Sequence, residues 1–154
     1  MVDFEKIINK LIEKNITVST AESCTGGMLG KIITSYSGVS SIYGFGFITY
    51  ANEAKEKILG VKSETLLKYG AVSEETAREM AQGARRVSGS DVALSVTGIA
   101  GPGGATAEKP VGLVYIAFAD KDETIVKRLN LSGDRDSVRK QTCERVFELL
   151  SSKI

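Results

Sequence analysis

The run ITVSTAESCTGGMLGKII, residues 16 to 33, restricts the fold more than any other stretch of this chain. Ile16 and Val18 alternate with polar residues as in a short strand, while Met28, Leu29, Ile32 and Ile33 return at helical spacing. Ser23 is thereby expected on a strand-to-helix turn, the junction from which α/β folds are built.

The same mixture of periods continues along the chain. Asp3 to Asn15 places Phe4, Ile7, Ile8, Leu11 and Ile12 on one face of an amphipathic helix. Ile42 to Tyr50 reads as a strand in which Gly44 and Gly46 alternate with Phe45 and Phe47, which predicts a close backbone or ligand approach on one face. Asn52 is expected to cap a short helix that Gly60 ends, and a second short helix spans Ser63 to Lys68. Ser73 then caps a longer helix with two first-turn acids, Glu74 and Glu75. Asp91 to Gly98 and Val111 to Asp120 read as strands, Ile125 to Leu131 as an antiparallel partner, and Asp134 and Asp136 open a terminal helix. The order α, β, α, β, α, α, β, β, β, α contains no repeat or linker. It predicts a single α/β domain over residues 1 to 154, with a mixed β-sheet and helices on both faces, an α/β/α sandwich.

Composition matters here for what it excludes. Twenty basic residues against nineteen acidic ones leave a net charge of +1, which is no electrostatic footprint for nucleic acid or an anionic membrane. The opening MVDFEKIINK is unlike a signal peptide, and no apolar run approaches the roughly 18 residues of a membrane span, so a cytoplasmic protein is expected. Cys24 and Cys143 fit neither a disulfide framework nor a metal-ligand spacing, and both are expected to be reduced. The histidine count is zero, which removes Ser-His and Cys-His mechanisms and the usual zinc sites. A nucleophilic serine in this chain would need a lysine, a tyrosine or a carboxylate to take its proton.

Four loops carry residues suited to chemistry. In AESCTGG, the Ser23 hydroxyl stands beside the expected first-turn amides of Thr25, Gly26 and Gly27; it is either a nucleophile next to an oxyanion hole or a helix cap. In TYANEAK, Asn52 as cap would make Lys55 the third helical residue, near the positive end of the helix. With partial burial its pKa would fall toward neutrality, and the Tyr50 phenol could relay a proton or orient the pair. The other reading is a surface lysine beside two glutamates. The loop GIAGPGGATAEKPVG has five glycines whose amides could receive a phosphate or carboxylate, yet it matches neither the P-loop nor the dinucleotide fingerprint and could be a plain hairpin connection. In SGDRD, Arg135 either meets a phosphate or pairs with Asp134 and Asp136.

Taken together, AESCTGG, TYANEAK, GAVSEET, GIAGPGG with KPVG, and SGDRD occur in the order seen in the CinA C-terminal family, and the chain resembles that family from about Ile7 to Leu150. The resemblance implies an amidase that hydrolyses the carboxamide of nicotinamide mononucleotide to nicotinate mononucleotide and ammonia in pyridine nucleotide salvage. The family's serine nucleophile falls on Ser23, its tyrosine on Tyr50 and its lysine on Lys55. Oxyanion donors would come from Thr25 to Gly27, and Thr25, Gly26, Asn52, Gly101 and Arg135 would contact the ligand. No metal or organic cofactor is implied, and a homo-oligomer is. Many relatives have TYSN where this chain has Thr49, Tyr50, Ala51 and Asn52, so no hydroxyl at position 51 takes part here. Longer members carry an N-terminal nucleotide-binding domain that this chain is expected to lack. The alternative is a non-catalytic nucleotide-binding or competence-associated module that keeps the pocket without turnover.

Overall fold

Three adjacent strands run parallel and end at one edge of the sheet, and that edge carries the loops described above. In the computed structural model, which describes all residues from Met1 to Ile154, the elements are α1 (Phe4–Glu13), β1 (Val18–Glu22), α2 (Met28–Thr34), β2 (Phe45–Ile48), α3 (Asn52–Leu59), α4 (Ser63–Tyr69), α5 (Glu74–Ser88), β3 (Val92–Gly98), β4 (Leu113–Ala119), β5 (Thr124–Asn130) and α6 (Arg135–Ser151). A 3₁₀ turn at Val39–Ser41, which the sequence pattern did not reveal, leads into β2. The sheet has five strands in the order β2-β1-β3-β4-β5. β1 pairs parallel with both β2 and β3, whereas β4 and β5 are antiparallel additions.

Alternation along the strands sorts side chains between the two faces. On β3, Leu94 and Val96 join a cluster with Ile8 and Leu11 of α1, Leu29 of α2, and Val146 and Phe147 of α6. Phe4 meets Phe147 edge-on with ring centroids 4.8 Å apart. Ala93 points the other way, into a cluster with Leu59 of α3, Leu66 of α4 and Met80 and Ala84 of α5. The expected helices on both faces are therefore present: α1, α2 and α6 cover one side, α3, α4 and α5 the other.

Small residues let the second layer come close. The Ser95 hydroxyl donates to the Ala77 carbonyl at 2.6 Å, and that of Thr97 to the Ala71 carbonyl at 2.7 Å, so polar groups facing α5 are tied to its backbone or to the turn before it. At Gly83 a Cβ would overlap the carbonyl of Leu59, so only glycine allows α3 to lie this close on α5. That seating matters because α3 carries Lys55 four residues before Leu59.

Two helix starts follow the sequence expectation and one corrects it. The Ser73 hydroxyl accepts from the Thr76 amide at 3.2 Å, and the Asp134 carboxylate from the Ser137 amide at 2.8 Å. Asn52, however, is the first residue of α3, and Ala51 occupies the cap without a side-chain bond. β2 is also shorter than Ile42 to Tyr50: Ile42 closes the 3₁₀ turn, Tyr43 and Gly44 precede the strand, and Thr49 and Tyr50 lie beyond it. Of its glycines, Gly46 is closely approached, by the Tyr43 hydroxyl, while Gly44 meets nothing.

Candidate active site

β1 alternates Ala21 toward α3 and α5 and Glu22 toward α2, and Ser23 continues the pattern with its amide bonded to the Val96 carbonyl at 3.0 Å. Its hydroxyl is thus aimed at α3. Lys55, on the helix after the neighbouring parallel strand, reaches back beneath it. The Lys55 ammonium nitrogen lies 3.0 Å from Ser23 Oγ, 2.8 Å from the Thr49 carbonyl and 3.2 Å from the Tyr50 carbonyl.

Three partners suit a neutral amine as well as an ammonium. Two N–H groups donate to the two carbonyls, and the lone pair is left for the Ser23 hydroxyl proton. Lys55 is only 1% exposed, no carboxylate pairs with it, and burial lowers its pKa from 10.5 to about 8. At pH 8 about half of such amines are free bases, against roughly 0.3% for an ordinary lysine. The cause is burial, and Lys55 sits one residue deeper in the helix than Asn52 capping would have placed it.

The serine turn is held from beneath by a carboxylate. Glu22, 2% exposed, accepts from the Thr25 hydroxyl at 2.6 Å and from the Leu29 and Gly30 amides at 2.9 and 3.2 Å. The positive end of α2 is therefore already occupied by this chain's own anion. This corrects the expected oxyanion hole: α2 begins at Met28, after the turn, and the Gly26 amide donates to the Ser23 carbonyl at 3.1 Å. The amides of Cys24, Thr25 and Gly27 make no hydrogen bond within the protein, and of these three residues only Cys24 lines the cavity beside Ser23.

A cavity of about 250 Å³ opens beside Ser23. Cys24, Lys55, Thr97 and the backbone from Gly98 to Gly104 line it, and Tyr50 and Arg135 stand at its margin. Arg135 pairs with neither neighbouring acid, since Asp134 caps α6 and Asp136 bonds Lys140 at 2.7 Å. Instead its guanidinium donates to the Gly101 carbonyl at 2.7 Å and to the Tyr50 hydroxyl at 3.2 Å. Gly101 must be glycine, since its φ is +83° and a Cβ would run into Val111. The glycine loop is also the long antiparallel connection between β3 and β4.

Ser23, Lys55, Tyr50, Gly101 and Arg135 thus come together at one cavity. Thr25, Gly26, Gly27 and Asn52 do not line it: Thr25 is fully buried on Glu22, and Gly26 and Asn52 are exposed. Tyr50 touches Lys55 through its carbonyl, while its phenol faces Arg135. Cys24 is buried, and burial pushes its thiol pKa up to about 12, far from a thiolate at neutral pH. The sequence reading missed Glu22 and Arg139, whose guanidinium binds the carbonyls of Cys24 and Thr25. A lone acid just before the turn and an arginine one helical turn after Arg135 were the available signals. No three metal-binding side chains gather in the fold, and no helix is long and apolar enough to cross a membrane.

The geometry can be set beside known proteins. Residues 3–154 match the family model for the CinA C-terminal domain. Proteins named competence-damage inducible protein are 51% identical over 149 residues in Thermoanaerobacter sp. strain X514 and 52% identical over 154 residues in Clostridium novyi strain NT, covering 96% and 99% of this chain. The chain spans only 36% and 37% of the length of those two relatives. Among solved structures, competence/damage inducible protein CihA from Agrobacterium tumefaciens superposes with a TM-score of 0.94 at 42% identity, covering 97% of this chain and 92% of that one. Competence damage-inducible protein A from Klebsiella pneumoniae gives 0.93 at 33% identity, covering 99% and 97%. Sequence and fold agree over nearly every residue, and the chain belongs to the CinA C-terminal domain family.

Proposed function

We propose that this chain is an amidase that hydrolyses the carboxamide of nicotinamide mononucleotide to nicotinate mononucleotide and ammonia. The reaction class rests on one observation: a buried lysine with no carboxylate partner stands 3.0 Å from a serine hydroxyl at the floor of a cavity. The choice of substrate rests on the family resemblance. The cavity volume of about 250 Å³ lies just below the roughly 300 to 1,000 Å³ of common ligand sites, enough for a ring with its carboxamide. The ribose and phosphate would then lie across the exposed margin, where Arg135 and the unpaired amides of the glycine loop are available to an anion.

In this reading Lys55 takes the Ser23 proton as Oγ bonds to the carboxamide carbon, and the carbonyl π pair moves onto oxygen. The Cys24 amide, which lines the cavity beside Ser23, receives that oxyanion. As the C–N bond breaks, the Lys55 ammonium returns the proton to the departing nitrogen, and ammonia leaves an acyl-serine. Water then attacks; Lys55 takes its proton and passes it to Ser23 Oγ when the acid is released. Tyr50 acts through its carbonyl on Lys55 and through its phenol on Arg135. No cofactor enters this scheme. A homo-oligomer belongs to the same proposal, supported by Phe45 and Ile48, which are 49% and 56% exposed on the edge strand β2.

The deciding experiment is ammonia release from nicotinamide mononucleotide by purified protein, with Ser23→Ala as control. Release that the Ser23→Ala variant lacks supports the amidase. Saturable binding of the mononucleotide without release would favour a nucleotide-binding module.

A further inference from the structure

Arg139 sits on α6 one turn beyond Arg135, half-buried against the serine turn. Its Nε donates to the Cys24 carbonyl at 3.1 Å and its Nη2 to the Thr25 carbonyl at 2.8 Å. These carbonyls belong to the two peptide units that begin at Cys24 and Thr25. A trans peptide directs its C=O and N–H in opposite senses, so a guanidinium on the carbonyls turns the Thr25 and Gly26 N–H groups away from α6. The Gly26 N–H is used by the Ser23 carbonyl and Thr25 is fully buried, whereas the Cys24 N–H has no protein partner and lies at the cavity.

We propose that Arg139 is a positioning residue for the amidase reaction: it fixes the Cys24–Thr25 peptide, and with it the turn that presents the free Cys24 amide beside Ser23 to the oxyanion. The proposal rests on the amidase reading and adds to it the source of the oxyanion donor. Glu22 completes the grip from the opposite pole, by accepting from the Thr25 hydroxyl and the first amides of α2. The turn is thereby held by an anion on its donors and a cation on its acceptors, and the Cys24 amide beside the nucleophile is left free.

A staple that only joined α6 to the turn would affect stability, with no preference for one kinetic step. A positioning role predicts a loss confined to steps that build charge on the carbonyl oxygen. The test compares wild type, Ser23→Ala, Arg139→Met and Arg139→Lys in three readouts: kcat and KM on nicotinamide mononucleotide, the melting temperature, and the rate at which a fluorophosphonate modifies Ser23, followed by mass spectrometry. Removing one oxyanion donor costs about 10²- to 10³-fold, so Arg139→Met should lose roughly 10²-fold in kcat. Its KM should stay within about threefold, because the substrate ground state carries little charge on that oxygen. Phosphonylation should slow in parallel, since it too builds negative charge on oxygen. Arg139→Lys, which supplies one point of attachment instead of a fork, should recover part of the loss.

Unchanged kcat in Arg139→Met, or a rise in KM alone, overturns the proposal. So does a loss in Arg139→Lys that follows the melting temperature and leaves the phosphonylation rate untouched, a comparison that still decides the matter if Arg139→Met fails to fold. If wild type is phosphonylated at Ser23 but releases no ammonia from the mononucleotide, the substrate reading has failed, and the phosphonylation rates alone judge Arg139.

Discussion

The floor and the margin of the cavity are built in opposite ways. At the floor, Ser23 and Lys55 are 8% and 1% exposed, and Lys55 makes three short contacts within the chain. At the margin, Tyr50 is 62% exposed, Arg135 is exposed, and Gly103 and Gly104 offer unpaired amides to solvent. The difference teaches a division of labour. Groups that must be aligned before substrate arrives are locked by packing, and groups that recognise the outer part of a ligand stay free to adjust. Changes at the floor should therefore remove chemistry, and changes at the margin should reduce efficiency for particular substrates.

The largest effect is expected at the proposed nucleophile. Ser23→Ala should abolish ammonia release, while Cys24→Ala keeps most of it, because a thiol whose pKa burial pushes up to about 12 supplies no thiolate. Rates of ammonia release from the two variants decide the point. Activity that survives in Ser23→Ala and vanishes in Cys24→Ala would make this a cysteine hydrolase and end the serine–lysine reading.

Lys55 comes next. Lys55→Met should lower kcat by about 10²- to 10⁴-fold, the usual contribution of a positioned base. In wild type, activity should rise with pH through an apparent pKa near 8, where burial sets the Lys55 amine, and should survive EDTA. The pH dependence of stability gives an independent measurement. The folded pKa, about 8, lies below the unfolded value of 10.5, so the folded state binds fewer protons between them and wild type gains stability as pH rises through that window. The gain is on the order of 3 kcal/mol in full. Lys55→Met should lack this slope, and denaturant titrations of the two proteins at pH 7.5 and 10 check it.

The same division explains what the sequence disclosed. Strand and helix order could be read because each period is local, and Ser23 and Lys55 follow two strands whose parallel pairing brings their ends together. The absence of histidine narrowed the candidates for the base. Arg139 stayed hidden because VRKQ reads as ordinary solvent-facing helix, and only the packing of α6 against α2 brings its guanidinium to Cys24 and Thr25. Asn52 misled for a related reason. Asparagine is a strong cap in isolation, yet Ala51 occupies the cap here, and its carbonyl accepts from the Lys55 amide at 3.2 Å. Glu22 carried no local signal beyond its place at the end of a short strand, and its role depends on α2 starting at Met28, so that the Leu29 and Gly30 amides reach it.

A smaller loss is expected at the margin. A charge-assisted contact contributes about 1.5 to 3 kcal/mol, so Arg135→Ala should lose roughly tenfold or more in kcat/KM on nicotinamide mononucleotide. On nicotinamide riboside, which lacks the phosphate, it should lose little. Steady-state kinetics on both substrates separate the roles. An equal loss on the two would mean that the Arg135 bridge to Gly101 and Tyr50 supports the floor, and the division between floor and margin would have to be redrawn.

The smallest effect is expected at Thr49, which lies beneath the floor and whose side chain has no task in the chain. Thr49 is fully buried and its carbonyl holds Lys55, yet its hydroxyl is the sole buried side-chain polar atom without a hydrogen-bond partner. Thr49→Val keeps the branched shape and the carbonyl while removing a buried polar group that gains nothing in the free protein. Loss of an unsatisfied hydroxyl is neutral or stabilising, by up to about 1 kcal/mol. Thermal unfolding should show an unchanged or raised Tm, and kcat should stay within about threefold if Lys55 is positioned by the main chain alone. A large fall in kcat with an intact fold would mean that the hydroxyl helps to place the Lys55 amine. The floor would then depend on a side chain free to turn as well as on the main chain, and the contrast between the two regions would be one of degree.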